Sequence, residues 1–392
     1  MTNAIRETHV AARKPDTSSH AHRDEGQQPP RHRMRLAVAV AVALALAAAV
    51  VLVGVLARPS PPALSAQVTG DAALAARVRP LLPGALDRVS IGVVDGPSTA
   101  YAGFGADEHT AYEIGSVTKT FTGLLLADAI QRGEVAAETK VGVLLPLGGA
   151  PVADVMLEEL ASHRGGLSAQ GMQPEDQIPW LLRTLMHRDP FVQDVAGVLA
   201  IARKTRLTDR GAVVYSNLGV ALLGQALAAA AHTDYAQLVQ ERLFTPLGMT
   251  TSSLPLMAGR LPQGALTGYS ATGVAEAPWT IDGWAPAGGA RSTVADMVRY
   301  ARALLDNSAP GMDALTPRWE VGRQQVGYVW TMQTIQGRTV TMKNGLTGGF
   351  TSKIVLDRAT QRAVVVLSNT AAQVDEAADG LLVGEHAWIS SR

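Results

Sequence analysis

The stretch Tyr112–Phe121, "YEIGSVTKTF", sets Ser116 and Lys119 three residues apart in front of a long apolar run. Residues at i and i+3 share a helix face, so one helical turn brings a hydroxyl and an amine together. A serine hydroxyl is a poor nucleophile until a neighbouring base takes its proton. A lysine is such a base only where desolvation or nearby cations lower its pKa. A helix start adds the positive end of a dipole. The chain has six lysines, and Lys119 alone has a serine three residues before it. Taken alone, the pair fits a polar helix start with a solvated lysine equally well.

Two distant stretches bear on the choice. "VVYSNLG" holds Tyr215 and Asn217, the only Tyr-x-Asn in the chain. A tyrosine beside lysines can accept or relay a proton, and an asparagine can donate to a substrate amide. The same residues also suit a helix cap next to a core tyrosine. "TMKNGLTGGF" holds Lys343, Asn344 and Gly345 at the head of a β-rich end. A strand lysine can hold an anion, and a glycine lets a substrate backbone approach closely.

The order Ser-x-x-Lys, Tyr-x-Asn, Lys-x-Gly resembles that of the serine β-lactamase and penicillin-binding protein superfamily. The nearest likeness is to the class C β-lactamase-like group, which includes D-alanyl-D-alanine carboxypeptidases and esterases. "YEIGSVTKTFTGLLLADAIQRGEV" looks like the nucleophile helix of that family. "LEELASHRGGL" is similar to its "LLTHTSGL"-type segment, with Arg164-Gly165 as a departure. "LFTPLGMTTS" and "APAGGARSTVADMVRYARALL" look like further family segments. Ser/Lys pairing is a recurring variant of nucleophile–base chemistry.

The resemblance implies an α+β fold of the α/β sandwich kind. An antiparallel sheet would be built from N- and C-terminal strands, flanked by helices, with a large mainly helical insertion. It implies Ser116 as acyl-enzyme nucleophile, Lys119 as its base and Tyr215 as proton partner and activator of the deacylating water. Asn217, Lys343, Asn344 and Gly345 would bind substrate. The backbone N–H groups of Ser116 and Leu346 would form the oxyanion hole, where one donor is worth about 2.7–4 kcal/mol of barrier. Asn344 stands where the family often carries Thr or Ser, which leaves an esterase open beside β-lactamase or D-alanyl-D-alanine carboxypeptidase. A penicillin-sensing ectodomain is the non-enzymatic alternative. The family uses no metal or organic cofactor, and its substrate is a small molecule or a peptidoglycan peptide.

Composition agrees with a large globular enzyme. The 392 residues are 47% hydrophobic and 17% charged, with zero formal net charge, which gives no footing for nucleic-acid binding. With no cysteine, disulfides, thiolate zinc sites and cysteine nucleophiles are excluded. His163 reads as structural, because a Ser-His-Asp triad would need a Gly-x-Ser-x-Gly elbow and none occurs. Trp279, Trp284 and Trp330 are candidates for the rim of a pocket. His20 and His22 form an HxH pair in a tail with nothing folded to hold a metal.

Four segments follow from the pattern. Residues 1–35 are polar and read as a disordered cytoplasmic tail. Residues 36–57, "LAVAVAVALALAAAVVLVGVLA", carry no charge and are long enough to span the roughly 30 Å bilayer core as a transmembrane anchor. Seven Lys/Arg against four Asp/Glu precede them, which points to a single-pass protein with its catalytic domain outside the cytoplasm. A signal peptide cleaved near Ala63–Ala66 would instead give a secreted protein. Residues 58–67 form a Pro-rich linker, and residues 68–390 form the hydrolase domain.

Overall fold

The computed structural model describes residues 30–56 and 59–384. Residues 1–29, with the His20/His22 pair, and 57–58 and 385–392 lie outside the described residues. The chain divides into two units, 1–58 and 59–392. In the first unit the apolar segment is helix α1 (Pro30–Leu56), which starts ahead of the expected boundary at Leu36. Its side chains are described at 34–49, 52 and 54. Among the described residues no helix is long and apolar enough to cross a membrane.

The second unit opens with β1 (Val68–Gly70), α2 (Ala72–Val78) and the hairpin β2 (Val89–Asp95) and β3 (Ser98–Phe104). Strand β4 (Ala111–Glu113) leads into the central helix α3 (Thr118–Gln131). A helical stretch follows: α4 (Val141–Leu144), α5 (Leu157–Ala161), α6 (Pro174–Leu185), α7 (Val195–Lys204), α8 (Asn217–Ala230) and α9 (Tyr235–Val239). The short pair β5 (Gly268–Tyr269) and β6 (Ala275–Glu276) precedes α10 (Ala285–Gly288), β7 (Arg291–Thr293) and α11 (Val294–Leu305). The chain then returns to the sheet with β8 (Trp319–Val321), β9 (Gln324–Val326), β10 (Thr331–Ile335), β11 (Arg338–Leu346), β12 (Thr351–Asp357) and β13 (Arg362–Ser368), and ends on α12 (Asp375–Val383).

The large sheet has the order β1-β3-β2-β13-β12-β11-β10-β9-β8. Every neighbour in it is antiparallel. N-terminal and C-terminal strands meet where Val366 faces Ile91 on β2. The continuous apolar run "RAVVVLS" follows from burial on both faces, since side chains alternate along a strand. Ala363, Val365 and Leu367 enter the larger core beside α3 and α11, whereas Val364 and Val366 enter the smaller core beside α2 and α12. The architecture is therefore helices, antiparallel sheet, helices, with the helical stretch between β4 and β7 extending the larger core.

Helices α3 and α8 are buried nearly all round, which removes the polar stripe of a surface helix. The polar residues that α3 keeps inside consequently need partners within the protein. Behind the start of α3, β4 pairs with β7 in a separate two-stranded sheet, where Glu113 lies directly opposite Arg291. Their side chains meet at 3.0 Å with 3% and 1% exposure, so water does not share the pair. Glu113 also accepts the Trp279 backbone N–H at 3.0 Å, tying the 279–284 loop to β4. Burial pushes Glu113 up to about 7 against the pull of Arg291.

Removing one member of a buried pair strands the other charge, at a cost of about 3–5 kcal/mol. Arg291→Ala should lower the stability measured by denaturant unfolding by that amount. Replacing Arg291 and Glu113 together by apolar residues should cost clearly less. Equal losses in the single and double variants would show that the pair does not act as a unit.

Candidate active site

Ser116 lies in a one-turn 3-10 segment, Gly115–Val117, that joins β4 to α3. Gly115 has φ +46°, and a Cβ there would come within 2.8 Å of the Leu346 backbone nitrogen. Across the junction, a Cβ on Gly345 would sit 2.1 Å from the Ile114 carbonyl oxygen and 3.0 Å from the Ser116 nitrogen. Two glycines thus let the turn that carries Ser116 press against β11, which brings the backbone nitrogens of Ser116 and Leu346 close to the same junction. Ser352 Oγ secures the contact by donating to the Ile114 carbonyl at 2.7 Å.

Lys119, one turn further on, is completely buried. Its ammonium donates to Ser116 Oγ at 3.0 Å, to Asn217 Oδ1 at 2.7 Å and to the Ala287 carbonyl. These acceptors belong to the nucleophile turn, α8 and α10. Burial pulls Lys119 down to about 7. Near neutral pH a substantial share of the molecules therefore carries a neutral amine, whose lone pair can take the Ser116 proton.

Tyr215 also meets Ser116, with 2.7 Å between the two hydroxyl oxygens. It sits just before α8, whose N-cap is Ser216: the Ser216 hydroxyl accepts from the Gly219 N–H and donates to the Ser168 carbonyl. This cap places Tyr215 and Asn217 on either side of one helix start. The nitrogens of Lys119 and Lys343 lie 5.0 and 5.1 Å from the centre of the Tyr215 ring. Lys343 is itself held below its ordinary 10.5, chiefly by burial and then by Lys119.

His163 is the residue whose place the sequence reading missed. Its ring packs 4.7 Å from the Tyr215 ring, and Nδ1 accepts the Ser216 N–H at 3.2 Å. Burial, then the charges of Lys343 and Lys119, holds it well below 6.5, so it is neutral. It orients Tyr215 without serving as a triad base. The available signal was the histidine shared by "LASHRGGL" and the family's "LLTHTSGL"-type segment.

The other expected residues divide. Ser116, Asn217 and Leu346 line a cleft of about 60 Å³ together with Phe191, Trp279, Ile281 and Trp284. Lys343 and Gly345 are buried on β11 beside the nucleophile turn, but Asn344 between them is exposed. Trp330 is fully buried, stacked 6.5 Å from Tyr300; it borders not this cleft but the neighbouring cavity, with Tyr215 and Lys343.

The geometry sets a pH dependence. Acylation needs neutral Lys119, so kcat/KM should fall about tenfold per pH unit below about 7 and level off above it. Tyr215→Phe should lower the plateau by at least about 100-fold while thermal unfolding stays close to wild type, because the ring remains. A rate independent of pH between 5 and 8 would remove Lys119 as the base.

Comparison with known proteins bears on the family and the fold. The Beta-lactamase family profile matches residues 74–387. "Beta-lactamase-like protein 2" of Dictyostelium discoideum is 29% identical over 223 residues, 53% of this chain and 38% of that protein. A β-lactamase of Escherichia coli is 27% identical over 235 residues, 57% of this chain and 58% of the relative. The chain thus spans between about a third and three-fifths of these relatives. Among solved structures, a D-alanine carboxypeptidase from Burkholderia cenocepacia superposes with TM-score 0.66 at 24% identity, covering 78% of this chain and 96% of that one. A D-stereospecific amidohydrolase from Streptomyces gives 0.68 at 19%, covering 80% and 99%. These two likenesses establish the fold. With a profile match across most of its length, the chain belongs to the Beta-lactamase family of serine hydrolases.

Proposed function

We propose that this protein hydrolyses acyl compounds through an ester on Ser116, with amide substrates of the β-lactam or acyl-D-alanyl-D-alanine type foremost. The carrying observation is the simultaneous contact of Ser116 Oγ with Tyr215 and with a buried Lys119. Neutral Lys119 takes the hydroxyl proton as Oγ bonds to the carbonyl carbon. The N–H groups of Ser116 and Leu346 hold the oxyanion. Tyr215 passes a proton to the departing nitrogen as the C–N bond breaks, and then draws one from the water that cleaves the ester.

A second feature supports an amide in an extended backbone. Strand β10 pairs with β11 only through Arg338–Met342. Among the described strands nothing pairs with Lys343–Leu346 on that side, beside Ser116. A peptide-like substrate can add there by main-chain hydrogen bonds. The likeness to a D-alanine carboxypeptidase and a D-stereospecific amidohydrolase points the same way. An esterase is the second reading. It is favoured by the aromatic wall of the cleft and by the exposed amide of Asn344 in place of a hydroxyl.

We also infer that α1 holds the domain at a membrane on its extracytoplasmic side, from its charge-free run and the basic excess before it. Protein retained in membranes after alkaline carbonate washing, with its N-terminus intact, is the expected result. Release, or an N-terminus beyond Ala63, would count against an anchor.

Fluorescent penicillin or a p-nitrophenyl ester should add one acyl group to the wild-type chain by intact mass. Ser116→Ala should abolish the adduct and shift stability by under about 0.5 kcal/mol. A panel of nitrocefin, p-nitrophenyl acetate and acyl-D-alanyl-D-alanine separates the two readings. A folded wild-type protein that neither turns over nor labels with any of them would end the enzymatic account.

A further inference from the structure

Helix α6 is built inside out. Asp176, Trp180 and Arg183, at helical spacing, form its half-buried face. Trp180 packs 6.5 Å from Phe191, and Arg183 donates to the Asp189 carbonyl at 2.6 Å. Ile178, Leu181, Leu182 and Leu185 take the opposite face and, with Met186 at the helix end, are 50–65% exposed. No residue of the helix is buried. A surface helix ordinarily turns its apolar stripe towards the core. Apolar surface exposed this densely marks contact with a partner or a membrane.

The position of this helix in the domain selects the occupant. The charge-free run ends at Ala57, and Ser60 follows three residues later. An extended chain covers at most about 3.6 Å per residue, so Ser60 lies within about 11 Å of the end of that run. Ser60 is already packed into the domain: a Cβ on Gly273 would overlap its carbonyl oxygen. Gly273 belongs to the turn between β5 and β6. Just beyond that turn, the Glu276 carboxylate meets His187 Nδ1 at 2.6 Å, and the Ala277 N–H donates to the His187 carbonyl at 2.9 Å. His187 stands two residues past the end of α6. One short hairpin therefore separates the chain's entry into the domain from the end of the inverted helix.

A bilayer that holds residues 36–57 must lie within reach of Ser60, on the hairpin's side of the domain. That is the side on which α6 presents its leucines. Charge gives no competing attraction. Across residues 174–188, Glu175 and Asp176 balance Arg183 and Arg188, so the segment has no excess charge for an ionic partner.

We propose that α6 docks on the bilayer surface through Ile178, Leu181, Leu182 and Leu185, as a second membrane contact that fixes the orientation of the hydrolase domain. An interfacial helix sinks its apolar face about 5–10 Å into the headgroup and acyl boundary. The proposal rests on the reading of α1 as the anchor and adds a contact which that reading does not contain. Because the charges of the segment cancel, docking depends on apolar area and needs no anionic lipid.

The chain contains no cysteine, so one introduced thiol gives one reporting position. Leu182→Cys and Asp306→Cys are made in the full-length chain and labelled with nitrobenzoxadiazole. They are reconstituted in phosphatidylcholine vesicles with and without doxyl-labelled acyl chains. Leu182 is 52% exposed and Asp306 is also exposed, so neither change disturbs the core. Asp306 marks the far end of the sheet. Gln361, just before β13, donates to the Leu305 carbonyl, whereas β5 bridges Thr370 just past the other end of β13. Doxyl lipid should quench the label at position 182 at least about threefold more than the label at 306. Adding Leu185→Asp should cut the quenching at 182 by about half or more. Equal quenching at the two positions, or quenching at 182 untouched by Leu185→Asp, overturns the proposal. A disulfide between two copies at position 182, without lipid quenching, assigns the face to a second copy and overturns it too. Carbonate washing separates this contact from the anchor. A retained chain whose 182 label is unquenched removes the docking alone. A released chain removes the anchor, and it removes the docking as well unless 182 was quenched before the wash.

Discussion

The burial of one amine governs this structure. Lys119 lies on a helix that is enclosed all round, and its three hydrogen bonds reach the nucleophile turn, α8 and α10. A buried ammonium is costly unless paired and hydrogen-bonded. Among the described residues it has three acceptors but no carboxylate partner. The acceptors fix its position, and the missing countercharge leaves desolvation to lower its pKa. The same arrangement therefore supplies both geometry and basicity. An acidic partner would have kept the amine protonated and unable to take a proton from Ser116.

The surrounding fold maintains that arrangement. The nucleophile turn is pressed against β11 through Gly115 and Gly345, which allows two backbone N–H groups to converge where an oxyanion would form. Behind it, the Glu113–Arg291 pair joins β4, β7 and the Trp279 loop. On the other side the Ser216 cap and His163 position Tyr215. Every reactive group is thus held by a contact from a different part of the chain. This explains why an active site made from residues 116, 215 and 343 needs one sheet built from both ends of the domain.

Much of this was legible in the sequence, for reasons tied to particular residues. The β-rich end that follows Lys343 was legible because β12 and β13 are apolar runs set between turn residues. The Ser116 helix was marked by its apolar run and by Gly133. The candidate set around Ser116 was legible only as an ordered combination, since no member is distinctive alone. Trp330 borders the cavity beside Tyr215 and Lys343 rather than the Ser116 cleft, a distinction that periodicity does not draw. His163 was read as structural; it contacts Tyr215 from a left-handed backbone at φ +59° that no local pattern announces. The pairs β4–β7 and β8–β9 went unseen because three-residue strands carry too little pattern.

The central claim is that Lys119 is poised near neutrality by burial. With six lysines in the chain, 15N-labelling of lysine side chains gives few signals, and Lys119→Arg identifies the one in question. An NMR titration of that amine should give a pKa near 7, against an ordinary value of 10.5. A titration close to 10.5 would contradict the account.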